Sequence, residues 1–391
     1  MRYMTAGESH GPQLTGIIEG FPAGLSIDID LINQRLAQRQ GGYGRGQRMQ
    51  IETDQVEIMG GVRHLVTLGA PICLVIQNRD HANWGAIMAP TEPGDAMQDR
   101  KRAVTTPRPG HADLVGGLKY QQTDLRNVLE RSSARETAMR VAIGALCEQL
   151  LAQLDISVLG YVTGIGSFTT QPAQSLAPDL VELRAKIEHN DLRLLNDSDC
   201  QSAIAVIEAA KAARHTLGGT VQVLATGLPA GLGDYTTAGS KLDGRLAQSI
   251  SSINAIKGVS FGAGFAIGQL TGNQAQDPIE WTAATGYTRT SNHLGGLEGG
   301  MTNGLPLVIN AVMKPIPTQM KPLATVEINQ HQKAAASTER SDVVAVTAAS
   351  VVAEAMTAIT LCEVILETFG GQTVSRLKSR MKAYRQELLE R

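Results

Sequence analysis

Cysteine, aromatic side chains and net charge are all scarce in this sequence, and each shortage narrows what the chain can be. Only four cysteines occur in 391 residues, Cys73, Cys147, Cys200 and Cys362, with no Cys-x-x-Cys pair among them. Reduced structural thiols of a cytosolic protein are therefore expected, not a disulfide framework or a metal site. Phe, Trp and Tyr make up 4% of the residues, too few for serial base stacking on aromatic platforms. The formal net charge is −2, which gives no general attraction to nucleic acid or to an anionic membrane, so any positive site must be a local concentration of arginine. The longest apolar stretch, residues 343–366, is interrupted by Glu354 and Glu363, and Met1-Arg2-Tyr3-Met4 has no apolar signal core. Neither a membrane span nor secretion is expected. A Gly-x-Gly-x-x-Gly element after a strand is also missing, so a dinucleotide-type site is not predicted.

What is present is enough apolar material for a large core, at 42% of residues, and several arginine-rich segments. Glu130-Arg131-Ser132-Ser133-Ala134-Arg135-Glu136-Thr137 leads into an Ala-rich run ending near residue 151. Ser133 followed three residues later by Glu136 has the pattern of a capping box, and Ala138, Val141, Ala142, Ala145, Leu146 and Leu150 follow at helical spacing. The free N–H groups of a helix start favour phosphate or carboxylate, and Arg131, Arg135 and the two serine hydroxyls add directional donors. A capped amphipathic helix with solvated arginines accounts for the same octapeptide equally well.

Upstream, residues 1–5 and 13–19 read as strands around Ala6-Gly7-Glu8-Ser9-His10-Gly11-Pro12, a turn presenting His10 as a candidate acid or as a histidine merely hydrogen-bonded in place. A helix over 30–38 runs into Arg39-Gln40-Gly41-Gly42-Tyr43-Gly44-Arg45-Gly46-Gln47-Arg48, a loop whose glycines permit close approach and whose arginines offer planar forks for anions. A solvated loop and an RNA-binding Arg-Gly segment are the alternatives. Residues 49–53 and 55–59 alternate like a hairpin, and 71–77 reads as a strand with Ile72, Leu74 and Ile76 on one face. A polar excursion is expected over 78–102. In Thr106-Pro107-Arg108-Pro109-Gly110-His111-Ala112-Asp113 two prolines hold Arg108 and His111 near each other, which suits proton transfer beside an anion as well as it suits a turn stabilised by Asp113.

Farther on, strands are predicted at 157–169, 220–225, 307–313 and 324–329, and helices at 179–195, 200–215 (closed by Gly218-Gly219), 241–253 and 343–369. The chain also repeats itself. Gly20-Phe21-Pro22-Ala23-Gly24-Leu25 returns as Gly227-Leu228-Pro229-Ala230-Gly231-Leu232, Pro107-Arg108-Pro109 as Pro315-Ile316-Pro317, and Glu130-Arg131-Ser132-Ser133 as Glu339-Arg340-Ser341-Asp342, in the same order. The expectation is an α+β fold in one internally duplicated domain, roughly 1–205 and 206–391, with long central helices covered by antiparallel sheets on both sides.

Together, Gly7-Glu8-Ser9-His10-Gly11, the 39–46 segment, Pro107-Arg108-Pro109-Gly110-His111-Ala112-Asp113, Arg131-Ser132-Ser133-Ala134-Arg135-Glu136-Thr137 and Arg340-Ser341-Asp342 resemble chorismate synthase over nearly the whole chain. The resemblance implies the β-α-β sandwich fold of that family and a 1,4-anti elimination of phosphate from 5-enolpyruvylshikimate 3-phosphate, the last step of the shikimate pathway. It also implies a requirement for reduced FMN, with reducing equivalents ultimately from NAD(P)H through an external flavin reductase, and a cytoplasmic homotetramer without nucleic acid, membrane or metal. His10 would serve the leaving phosphate, His111 would stabilise or protonate the reduced flavin, and Asp342 would partner its N5. Substrate anions would fall to His10, Arg39, Arg45, Arg48, Ser133, Arg135 and Arg340. The FMN site would be lined by Arg108, His111, Arg131, Ser132, Ser133, Asn254, Ala255, Gly299, Lys314, Pro315, Ile316, Pro317, Thr318 and Arg340. Gln47 and Thr106 depart from the residues frequent in the family at those positions.

Overall fold

Two stretches with apolar residues on every side set the interior, because a helix that is apolar all round has no face to give to water. The computed structural model describes residues 1–45, 53–91, 102–173, 175–338 and 342–391. In it the two stretches are α4 (Thr137–Ala152) and α8 (Val346–Phe369), packed against each other at the centre. Gly144 of α4 lies so close to α8 that a Cβ built on it would stand 2.4 Å from the Cβ of Ala355. By length and hydropathy α8 would suffice to cross a membrane, yet 89% of its most apolar window is buried inside this fold.

A sheet covers the helices on either side. The first contains β1 (Arg2–Ala6), β2 (Gln13–Glu19), β3 (Val56–Gly60) and β4 (Ile72–Gln77) in the order β1-β2-β4-β3, all antiparallel. The second contains β5 (Ser157–Ile165), β6 (Gly219–Thr226), β7 (Ile256–Phe261) and β8 (Leu307–Met313) in the order β5-β6-β8-β7, with the short strand Phe168–Thr169 beyond β5. The inward residues alternate as a half-buried strand requires: Ile72, Leu74 and Ile76 of β4 and Leu307, Ile309 and Ala311 of β8 are buried. α1 (Ile29–Gln40), started by the Asp28 carboxylate accepting from Leu31 N–H, packs against α4 and α8, and α7 (Leu242–Ser251) packs against α8 and β7. Further helices are α2 (Asp113–Tyr120), α3 (Arg126–Ser132), α5 (Leu180–Glu188), α6 (Cys200–Ala212) and α9 (Val374–Glu390), besides one turn of helix at Gly272–Ala275.

The strand orders of the two sheets match, and so does a detail of their turns. Thr67 Oγ1 donates to Pro22 O at 2.7 Å and accepts from Leu25 N–H at 2.9 Å. Thr302 Oγ1 donates to Pro229 O at 2.6 Å and accepts from Leu232 N–H at 2.9 Å. The repeated Pro-Ala-Gly-Leu segments are thus gripped by a threonine in the same way.

Several local expectations are corrected. α4 begins at Thr137, not at Ser133: Ser133 ends α3 and caps a single 3-10 turn, Ala134–Glu136, while the Glu136 carboxylate turns forward to Arg140. Of the hairpin predicted over 49–59, residues 49–52 lie outside the described residues, and β3 takes β4 as its partner. The 179–195 helix stops at Glu188, and Gly219 opens β6, since α6 has already ended at Ala212. The polar excursion packs inward at its start, with a 3-10 turn at Arg79–Asn83 and a buried Trp84; residues 92–101 lie outside the described residues.

Candidate active site

Three charged clusters gather where the β1–β2 turn, the end of α1, the α3–α4 junction and the start of α8 converge. The first is centred on Asp54, whose side chain is fully buried. Arg135 donates from Nη1 to Asp54 Oδ1 at 2.5 Å, and Arg39 Nη1 lies 3.7 Å from Oδ2. Arg39 is further fixed by donating to Thr137 Oγ1 at 2.9 Å and Ala134 O at 2.8 Å. Burial, opposed by Asp54 and aided by the neighbouring Arg135 and Arg45, pulls the Arg39 pKa down to about 10. Arg45 sits beside this pair and binds Asp342 Oδ2 at 2.8 Å, and Val343 N–H donates to Gly44 O at 3.0 Å, so the arginine loop docks on the segment leading into α8. Glycine is required at position 42, where φ is +115° and a Cβ would meet Thr347 Oγ1 at 2.4 Å.

The second cluster surrounds His10. Its backbone N–H donates to Glu130 Oε2 at 2.8 Å, and ring Nδ1 lies 2.9 Å from both carboxylate oxygens of Glu130. Trp84 stacks on the ring with centroids 3.9 Å apart, and Asp80 Oδ2 is 4.0 Å from Nε2. Burial would raise the Glu130 carboxyl, but the contacts from His10 and the charge of Arg126 outweigh it and hold the group below its ordinary value. Asn78 joins this cluster to the first, accepting from Arg135 Nε at 2.9 Å and donating to Glu8 O and Gly11 O on either side of His10.

The third cluster is the Pro-flanked turn. Asp113 is fully buried and accepts from Arg108 Nε at 2.8 Å and from His111 Nδ1 at 2.6 Å, while Arg108 Nη1 donates to Thr318 Oγ1 at 2.8 Å. Burial opposes ionisation of Asp113, yet His111 and Arg108 win and hold its carboxyl far below the usual range. The carboxylate facing His111 Nδ1 makes that nitrogen the donor, while Arg108 Nη2 lies 3.4 Å from Nε2. The junction with the second cluster runs through Asn254, which donates to Ser132 O at 3.0 Å, then Ala255, whose carbonyl accepts from Lys314 N–H at 2.9 Å, then Lys314 Nζ, which donates to Gly110 O at 2.8 Å. Ala255 holds φ at +68°, a left-handed conformation uncommon for a residue with a Cβ.

The residues expected from the sequence are thus largely brought together: His10, Arg39, Arg45, Arg108, His111, Arg131, Ser132, Ser133, Arg135, Asn254, Ala255, the Lys314-Pro315-Ile316-Pro317-Thr318 segment and Asp342. Arg131 is occupied in structure, donating to Thr5 O at 2.8 Å and Gly7 O at 3.0 Å, and Ser133 Oγ accepts from Arg135 N–H. Gly299 stands apart. It lies in the Glu298–Met301 turn at the N-terminal end of α7, where Gly300 O receives Leu242 N–H, whereas Asn254 follows the other end of that helix, ~15 Å away by helical rise. Arg48 and Arg340 lie outside the described residues. Sequence reasoning missed Asp54, Asp80, Trp84 and the pairing of Glu130 with His10. Trp84, one of only two tryptophans and set in a polar stretch, was the available signal, since so large an apolar ring needs cover.

The family model described as chorismate synthase matches residues 1–366. The chain belongs to the chorismate synthase family. A chorismate synthase of Lactiplantibacillus plantarum is 55% identical over 388 residues, covering 99% of both chains. One of Staphylococcus aureus (strain MW2) is 50% identical over 392 residues and covers 100% of both. A solved structure described as "Crystal Structure of Chorismate Synthase" superposes with a TM-score of 0.81 at 38% identity, covering 100% of this chain and 98% of that one. The α+β arrangement of internal helices between two antiparallel sheets is accordingly the chorismate synthase fold.

Proposed function

We propose that this enzyme, a lyase of aromatic amino acid biosynthesis, converts 5-enolpyruvylshikimate 3-phosphate to chorismate by 1,4-anti elimination, so that a proton and phosphate leave the substrate. The observation that carries the proposal is a buried arginine cluster tied, through side-chain and backbone hydrogen bonds, to two histidines that each have one ring nitrogen held by a carboxylate. A phosphate ester that also carries carboxylates needs several fixed guanidinium forks, and departure of phosphate is eased by a proton donor. Arg39, Arg45 and Arg135 supply the forks here, Ser133 lies beside them, and His10 would serve the leaving phosphate near them; Arg48 and Arg340 belong to the same proposal by resemblance. The RNA-binding alternative has no support among the relatives, which carry the synthase name.

Reduced FMN is proposed as the cofactor. The buried Oδ1 of Asn254 has no partner among the described residues, although its amide nitrogen is engaged, and an unsatisfied buried acceptor next to a strained Ala255 fits a ligand that donates a hydrogen bond. Asn254, Ala255, Lys314, Thr318, Arg108 and His111 would hold it, with Arg131, Ser132 and Ser133 at the α3–α4 junction. When bound, the reduced flavin supplies electron-rich ring chemistry in a reaction that is redox-neutral overall. The chain's own part is to bind the substrate anions, to fix the orientation of the His111 ring through Asp113, and to hold Asp342 beside Arg45 as a proton acceptor. External supply of reduced flavin, a homotetramer and a cytoplasmic location are further parts of the reading. We also infer an origin by duplication, supported by the recurring segments and the matching Thr67 and Thr302 grips.

The test is anaerobic incubation of the enzyme with reduced FMN and 5-enolpyruvylshikimate 3-phosphate. Stoichiometric release of inorganic phosphate and chorismate is expected. Release no faster than in a control without enzyme would end the lyase assignment.

A further inference from the structure

We propose that Glu130 is the positioning residue that fixes His10 Nδ1 as a permanent hydrogen-bond donor, so that Nε2 is the nitrogen left to exchange a proton. This rests on the reading above in which His10 serves the leaving phosphate.

Glu130 sits in the last turn of α3 and holds the His10 turn by three bonds. Its backbone carbonyl accepts from Ser9 N–H at 3.0 Å, and its carboxylate accepts from His10 N–H at 2.8 Å and from ring Nδ1 at 2.9 Å. The carboxylate side chain is 1% exposed, so the attraction between it and an imidazolium is little screened. It stays ionised, since its pKa is held below the ordinary value by His10 and by Arg126, which donates to Oε1 at 3.1 Å. An ionised carboxylate only accepts, so the facing Nδ1 must carry hydrogen in both the neutral and the charged ring. The ring cannot rotate away from this contact, because Trp84 stacks on it and is itself covered by the guanidinium groups of Arg102 at 4.0 Å and Arg126 at 4.9 Å.

The other groups facing His10 have been placed as well. From the 3-10 turn Arg79–Asn83, Asp80 Oδ2 is 4.0 Å from Nε2, and His81 Nδ1 is 2.9 Å from the His10 carbonyl. Asp80 adds a second negative charge on the side of the exchanging nitrogen, while Arg126 partly offsets Glu130. Glu130 is the group in direct contact with the ring, and contact distance decides which charge dominates.

The experiment uses full-length enzyme labelled with 15N-histidine, with the His10 signals assigned by their loss in His10→Ala. In the wild type, His10 should be protonated at Nδ1 when neutral. In Glu130→Gln, which keeps the side chain's size and removes its charge, the His10 titration should move about one pH unit lower. The kcat should fall about 10- to 100-fold with KM changed less than about twofold, and the basic limb of the kcat profile should move by the same unit. Unchanged His10 titration in Glu130→Gln overturns the proposal, and so does an Nε2-protonated neutral ring in the wild type, a result that needs no variant to fold. Full turnover by His10→Ala would instead overturn the assigned role of His10, while the titration shift would still report whether Glu130 controls the ring.

Discussion

At the scale of single residues, the site is organised by carboxylates that hold cations in place. Asp54 lies between Arg39 and Arg135, Glu130 faces His10, and Asp113 joins Arg108 to His111. Each is buried, where an uncompensated charge is costly, so each partner depends on the other. For Asp113 this has a calculable pH signature. Its folded-state pKa is depressed from an ordinary 3.8, so its contribution to stability is fully present above that value and is lost as pH falls below it. Asp113→Asn is therefore expected to cost about 3 kcal/mol at neutral pH, the usual consequence of breaking a buried ion pair, with the difference from wild type shrinking below about pH 4. Urea unfolding of both proteins across that range measures it, and a difference that stays constant into acid would contradict the assignment. The carboxylates were hard to read from sequence for a physical reason. Arginines and histidines announce themselves in local motifs, but the partner of Arg135 is 81 positions away and that of His10 is 120 positions away, and nothing local marks Asp54 or Glu130 as either.

At the scale of elements, strands with strict alternation were legible, and β2 and β8 have the limits that their sequences suggest. Boundaries set by competition were not. The Ser133 and Glu136 spacing fits a capping box, but Glu136 gains more from Arg140, which it meets at 2.8 Å and one turn along α4, and the box does not form. β3 pairs with β4, a partnership fixed by burial of both strands on one sheet, which no pattern local to β3 encodes. The closest contact between elements is Gly144 of α4 against Ala355 of α8. In an isolated helix, Gly144→Ala would gain about 1 kcal/mol in propensity. Here the added methyl would also stand 2.6 Å from the Ala355 Cα, and backbone cannot swing aside as a long side chain can. Overpacking of about 1–3 kcal/mol should outweigh the propensity gain, giving a lower denaturation midpoint; a stabilised variant would show that the helices separate freely.

Considered as a whole molecule, the two sheets share a strand order but not separate interiors. One continuous core includes Leu14, Ile18 and Ile76 from the first sheet, Ile143 and Leu146 from α4, Val351 and Ile359 from α8, and Val223 and Ile309 from the second sheet. Three short segments recur in order in the sequence, but the equal strand orders of the two sheets come from pairings that no local pattern encodes. A half on its own would expose the face of α4 or α8 that the other half covers, and that apolar surface contributes about 25 cal/mol per Å² when buried. Cutting the chain in the turn after α4, where Asp155 adopts a φ of +59°, should therefore yield two fragments that each lack a cooperative unfolding transition. Co-expressed, they should associate and recover the α4–α8 contact, as read by a single urea transition and by circular dichroism. A first fragment that unfolds cooperatively alone would mean that the first sheet with α1 and α4 holds a core of its own, and that the central helix pair joins two domains instead of forming one.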